Sequence, residues 1–82
     1  MNRLGGGSAA PLPSMPAETE MTDANRRQVQ EALRRLGYYR GPMDGIFGPL
    51  TRAAIHRFQQ DIGAEPTGSL TADQASRLVS PR

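Results

Sequence analysis

Cysteine, lysine and tryptophan are absent from the chain. Without cysteine there is no disulfide, no zinc–thiolate site and no thiol nucleophile. The missing disulfides leave the compartment open, because an extracytoplasmic domain can do without them. Without lysine there is no Schiff-base chemistry and no lysine general base. The basic side is all arginine: ten Arg stand against eight Asp plus Glu, and a formal charge of +2 is too small to argue for nucleic acid by itself. Long apolar runs are also missing; nothing approaches the roughly 20 residues of a membrane span, so no membrane insertion is expected. Residues 1–20 carry an early Arg3 but no apolar stretch, unlike a secretory signal. Export would need a signal outside this chain, which can be an excerpt of a longer protein. Its 82 residues hold one domain at most. A domain of about 60 residues buries only roughly 60% of its unfolded surface, which disfavours a deep, preorganised catalytic pocket.

What is present divides the chain in two. Residues 1–21 hold Gly5-Gly6-Gly7, Pro11, Pro13 and Pro16, with Leu4, Leu12, Met15 and Met21 at no helical or strand period. Such a segment buries too little apolar surface to offset its ordering entropy, and it reads as a flexible tether. The domain is expected over 22–80. Thr22 or Asp23 can cap a helix reaching about Leu36, with Val29, Leu33 and Leu36 on one face, Ala32 beside them, and Gly37 at the left-handed stop. Residues 37–48 carry Gly37, Gly41, Gly45, Gly48 and Pro42, which exclude a regular helix; Gly45-Ile46-Phe47 can run extended. Gly48-Pro49 restarts a helix, with Thr51, Ala54, Ile55, Phe58 and Ile62 on its inner face, and Arg52, His56 and Gln60 facing away. Gly63 ends it. Thr71-Ala72-Asp73-Gln74 fits a capping box ahead of a short third helix carrying Ala75, Leu78 and Val79. A faint internal repeat pairs Leu36-Gly37 with Ile62-Gly63, and Asp44-Gly45-Ile46-Phe47 with Thr67-Gly68-Ser69-Leu70.

These residues resemble a known family. Leu36-Gly37-Tyr38, Gly41, Asp44-Gly45, Phe47-Gly48, Thr51, Ala53-Ala54, Phe58-Gln59 and Thr67-Gly68 follow the pattern of the peptidoglycan-binding-like domain found in many bacterial cell-wall hydrolases. The resemblance runs from Val29 through Leu78. It departs at Val29-Gln30, where the family often has Leu-Gln, and at Ala64-Glu65, where apolar residues are common. The resemblance implies an all-α fold, a small three-helix bundle behind the N-terminal linker. It also implies a monomeric module appended to a catalytic domain, which it holds on peptidoglycan in the bacterial cell envelope, periplasm or exterior.

The candidate ligand residues are Tyr38, Tyr39, Arg40, Asp44 and Gln59. The Asp44 carboxylate can accept a sugar hydroxyl or a stem-peptide amine; its structural alternative is to take backbone N–H groups of its own turn, or the Thr51 hydroxyl. Of the adjacent Tyr38 and Tyr39, one is expected to pack inward and the other to offer its ring to a sugar face. Arg40 can hold a muramyl or peptide carboxylate bidentately or stay solvated. Gln59 can reach a groove or remain a surface amide. Gly37, Gly41, Gly45, Phe47, Gly48, Thr51, Phe58 and Gly68 read as structural, with Phe47 and Phe58 the main aromatic bulk of the core. His56 is the only histidine, so no metal site and no cofactor is expected.

Enzymatic chemistry finds no constellation. The serines lie away from His56, and Asp44 is the only acid in the central loop, where a glycosidase needs two. The glycines do not form a phosphate loop, nor the acids a calcium loop. The twelve-residue connection 37–48 is far longer than a helix-turn-helix turn, so no nucleic-acid partner is expected. The sequence thus predicts shallow, non-covalent retention on glycan or stem peptide, in a groove between the long loop and the second helix. The alternative is a protein–protein interaction module on the same fold.

Overall fold

The computed structural model describes residues 15–80. Within them lie three helices, α1 (Asp23–Arg35), α2 (Pro49–Asp61) and α3 (Ala72–Val79), preceded by a single 3-10 turn at Glu18–Glu20. No strand forms among the described residues, and Ile46 in the supposed extended piece is largely exposed.

The helix starts follow from side-chain capping. Thr22, not Asp23, is the N-cap of α1: its hydroxyl accepts the Asn25 N–H at 3.1 Å, and the Asn25 side chain accepts the Thr22 N–H at 3.0 Å. Asparagine thus does the work usually given to Glu or Gln in a capping box. Asp23 falls in the first turn, suited to the positive end of the helix dipole, and pairs with Arg27 at 3.1 Å. Thr71 and Gln74 build the same box ahead of α3. Gly48 and Pro49 begin α2 without a side-chain cap.

The first two helices also stop alike. The Tyr38 N–H reaches back to the Leu33 carbonyl and the Gly37 N–H to that of Arg34; Ala64 and Gly63 repeat this onto Gln59 and Gln60. Both are Schellman closures. Leu36, expected on the buried stripe, is instead 52% exposed. It stands at the C-cap of α1, where the chain turns away, and Tyr38 and Tyr39 fill the core beyond it.

The core joins Val29, Ala32 and Leu33 of α1 to Ala54, Ile55 and Phe58 of α2 and to Leu70, Ala75 and Leu78. Phe47 and Ile62 pack at its margin. Arg52 does not simply face away: its guanidinium lies 5.5 Å from the centre of the Phe47 ring and donates to the Gly68 carbonyl at 3.0 Å.

Two buried glutamines hold the loops. The Gln30 carboxamide oxygen accepts the Gly45 N–H at 2.9 Å, while its nitrogen faces the Ile46 carbonyl at 2.9 Å and the Thr51 hydroxyl at 3.1 Å. Gln59 accepts the Gly68 N–H at 2.8 Å and donates to the Ser69 carbonyl and the Gln74 side chain, both at 2.9 Å. Gly45 and Gly68 adopt φ of 79° and 85°, a left-handed conformation that other residues adopt at a cost. The faint sequence repeat is therefore a repeat of loop closure.

The tether expected over 1–21 needs correction at its C-terminal end; residues 1–14 lie outside the described residues. Met15 and Met21 are buried in the core. The Met15 N–H donates to the Ser76 hydroxyl at 2.9 Å, and the Glu18 carboxylate accepts the Leu70 N–H at 3.0 Å while pairing with Arg52. The attachment rests on single anchoring side chains spaced irregularly, so no periodic pattern announces it. Among the described residues, packing therefore extends back to Met15, ahead of Thr22.

Candidate functional site

Residues 37–48 fold back against α2, and their shape is set from inside. Tyr39 is buried, and its hydroxyl donates to the Pro42 carbonyl, closing the loop on itself. Gly41 lies against that hydroxyl; a Cβ there would come within 2.6 Å of it, so any larger residue would push the ring out of place. At the other end Gln30 fixes Gly45 and Ile46, and the Arg26 guanidinium ties the Gly45 carbonyl, at 2.6 Å, to the Met21 carbonyl, at 2.8 Å.

The result is an open groove with a wide and a narrow end. The wide end is a hollow of about 460 Å³ between Gly37–Gly41 and the Leu50, Ala53, Ala54 and Arg57 side of α2. The narrow end, about 160 Å³, is lined by Pro42, Asp44, Ile46 and Thr51 and shares Tyr39 and Leu50 with the first. A groove thus lies between the long loop and the second helix. Leu50 and Arg57, to which the sequence did not point, form its α2 wall together with Ala53 of the family pattern. Their spacing places them on one stripe beside the buried Thr51–Phe58 face, a signal that looking only for the inner face overlooks.

Charge differs between the ends. Arg40 and Arg57 are exposed at the wide end, and among the described residues neither forms an ion pair. Asp44 stands at the narrow end. The Ile46 N–H, at 3.0 Å from Asp44 Oδ1, holds its carboxyl below the usual carboxylate range, with a smaller contribution from the Gln30 amide at 3.4 Å. Both of these bonds fall on Oδ1. The Thr51 hydroxyl, the other partner considered for Asp44, instead accepts from the Gln30 amide.

Tyr38 lies edge-on to Phe58, ring centres 6.0 Å apart at 77°, and donates its hydroxyl to Asp61 at 2.6 Å. That bond raises the phenol pKa above its ordinary value, aided by partial burial and the Asp61 charge and opposed by Arg57. Both tyrosines therefore serve the packing. Tyr39 is wholly inside, and Tyr38 lines the groove with its hydroxyl already engaged. Gln59 is neither groove-facing nor a surface amide: it is fully buried, and its carboxamide bonds at both ends within the domain. Of the five candidate ligand residues, Tyr38 and Arg40 line the wide end and Asp44 the narrow end, with the buried Tyr39 shared between them. His56 is exposed on α2, and among the described residues no group of three or more His, Cys, Asp or Glu could hold a metal ion.

Residues 22–78 match the family model described as "Putative peptidoglycan binding domain". The chain is 46% identical over 56 residues to the "Localization factor PodJL" of Caulobacter vibrioides, covering 68% of this chain and 6% of that protein. It is 51% identical over 41 residues to the "Putative OxPP cycle protein OpcA" of Synechocystis, covering 50% of this chain and 9% of that one. It therefore spans a small part of the length of these curated relatives. Among solved structures it is similar to SltB3 from Pseudomonas aeruginosa, crystallised in complex with NAG-anhNAM-pentapeptide. The likeness has a TM-score of 0.68 and 34% identity, over 85% of this chain and 18% of that one.

Proposed function

Because the chain belongs to the peptidoglycan-binding domain family, we propose that it is a non-catalytic module that retains an attached or partner protein on bacterial peptidoglycan, and so works in the cell envelope. The observation that carries this reading is the groove between residues 37–48 and α2, with Arg40 and Arg57 exposed at one end and Asp44 at the other. Family signature residues shape the groove from within, and its charged side chains stay open to a ligand. A single carboxylate lines it, already bound by the Ile46 N–H, so it lacks the paired acids of glycoside hydrolysis. Retention needs only a shallow surface of this kind. Weak affinity becomes high local concentration when a covalently attached neighbour is held beside the polymer. The Caulobacter relative is named a localization factor, a description that fits placement rather than chemistry.

A second reading has its own support. Ile46 and Leu50 are 66% and 67% exposed at the narrow end, and such apolar side chains can seat a protein partner. Co-sedimentation with purified sacculi tests the first reading. The protein is expected in the pellet, released as rising salt screens its arginines. If it stays in the supernatant with sacculi, yet binds one protein tightly, the interaction module replaces the wall-binding module.

A further inference from the structure

Resting on the wall-binding reading, we propose that this groove reads the peptide of the wall polymer and not its sugar: a short zwitterionic peptide, with a carboxylate at Arg40 and Arg57 and an amine at Asp44.

Sugar recognition draws on an open aromatic face and spare hydroxyl or amide groups. The groove offers few of these. Tyr39 is buried with its hydroxyl on the Pro42 carbonyl, which leaves the half-buried Tyr38 as the one aromatic ring at the groove, nearly perpendicular to Phe58 and with its phenol proton committed to Asp61. The Gln59 amide, a natural partner for sugar hydroxyls, is sealed inside the domain. Once these commitments are made, the polar side chains left at the surface of the groove are the charged ones, Arg40, Arg57 and Asp44. Guanidinium groups bind carboxylates through paired, charge-assisted hydrogen bonds, and among the described residues Arg40 and Arg57 form no ion pair with a carboxylate of this chain. Asp44 uses Oδ1 for Ile46 and Gln30, which leaves the second oxygen for an incoming ammonium group. Between the ends, Leu50 and Ala53 form a low apolar wall that suits methyl-sized side chains. Opposite charges at the two ends also fix the direction in which a peptide can lie.

The test is an NMR titration of the ¹⁵N-labelled chain with three probes: a free stem tripeptide ending in a diamino acid, the same peptide acetylated at its amines, and a peptide-free N-acetylglucosamine tetramer. Saturating shifts are expected with the tripeptide at Arg40, Gly41, Ile46, Leu50 and Arg57. The acetylated peptide should bind several-fold more weakly. Arg57→Gln, a change at an exposed position, should weaken the tripeptide about tenfold while leaving the spectrum folded, as loss of one charge-assisted bond implies. Shifts with the tetramer that equal or exceed those with the tripeptide would overturn the peptide assignment. So would unchanged tripeptide affinity in Arg57→Gln. Sacculus co-sedimentation of the same sample separates the two levels. Pelleting without tripeptide shifts removes the peptide assignment and keeps wall retention. Tripeptide binding without pelleting keeps the assignment and removes retention.

Discussion

Gln30 and Gln59 occupy equivalent places: each carboxamide oxygen takes the N–H of a left-handed glycine, Gly45 or Gly68, and each nitrogen reaches the carbonyl of the next residue, Ile46 or Ser69. The residue before each glycine completes the likeness, since Asp44 accepts the Ile46 N–H and Thr67 accepts the Ser69 N–H. Each loop is thereby bonded to a helix through a glutamine side chain and a glycine N–H that are both buried.

Replacing either glutamine by leucine keeps most of the volume and removes the bonds. The buried Gly45 or Gly68 N–H then loses its partner, and an orphaned buried donor costs about 1–3 kcal/mol. With the carbonyl also left bare, Gln30→Leu and Gln59→Leu should each lower stability by about 2–4 kcal/mol. Gln60→Leu, at an exposed position, should stay within about 0.5 kcal/mol of the parent. Urea unfolding measures all three. Near-neutral results at Gln30 and Gln59 would mean that the loops close without these bonds.

Glycine substitutions separate conformation from space. Gly63 has φ of 76° and open room for a Cβ, so Gly63→Ala should cost only the left-handed backbone, about 1–2 kcal/mol. At Gly45 an added Cβ also runs into the Asp23 carboxylate, which pairs with Arg27 and lies in the first turn of α1. Gly45→Ala should therefore be the more destabilising of the two. Equal midpoints in chemical unfolding would show that Asp23 moves aside freely.

The helices were legible because their signals are local and periodic: Thr71 with Gln74, Gly48 with Pro49, and Gly37 and Gly63 at the stops all read directly from the chain. The long loop was legible as an irregular segment from its four glycines and Pro42, but not its attachment, which runs to Gln30 and Arg26 of α1 as well as to α2. The polar detail of the groove was not legible either. Gln59 sits beside an apolar face and looks, by type, like a surface amide; only the arrival of Gly68 and Ser69 from a later turn makes it a buried bracket. Met15 and Glu18 are hidden for the same reason: their partners, Ser76 and Leu70, lie far along the sequence.

The N-terminal attachment can be tested by trimming. A chain beginning at residue 22 keeps everything the family match covers but loses Met15, Met21 and the Glu18 bridge from Leu70 to Arg52. It should unfold at a lower temperature than a chain beginning at residue 15. Met21→Ala alone should cost about 2–3 kcal/mol, as expected for a large buried side chain truncated to a methyl. Glu18→Gln, which keeps an acceptor for the Leu70 N–H and loses only the charge opposite a partly exposed Arg52, should cost less than about 1 kcal/mol. If both chain lengths melt together, residues 15–21 only rest on the surface.

Tyr38 and Asp61 provide a pH-dependent contact beside the groove. The phenol donates to the carboxylate, and this bond, with partial burial, raises the phenol pKa above its ordinary 10.0 in the folded chain. The folded state therefore holds this proton more tightly than the unfolded state does. The stabilisation is complete below the unfolded value near 10 and is lost as pH rises through the higher folded value. Asp61→Asn keeps the shape of the partner but removes its charge, and should bring the Tyr38 ionisation down toward the ordinary value. ¹³C chemical shifts of the tyrosine ring, followed between neutral and strongly alkaline pH, read the change at Tyr38 separately from Tyr39. Tyr38→Phe removes the bond while keeping the T-shaped contact with Phe58, so the parent's stability advantage over this variant should shrink as pH rises through the folded Tyr38 value. An unmoved Tyr38 titration in Asp61→Asn would assign the raised pKa to burial instead, and the hydroxyl would then be available to a ligand in the groove.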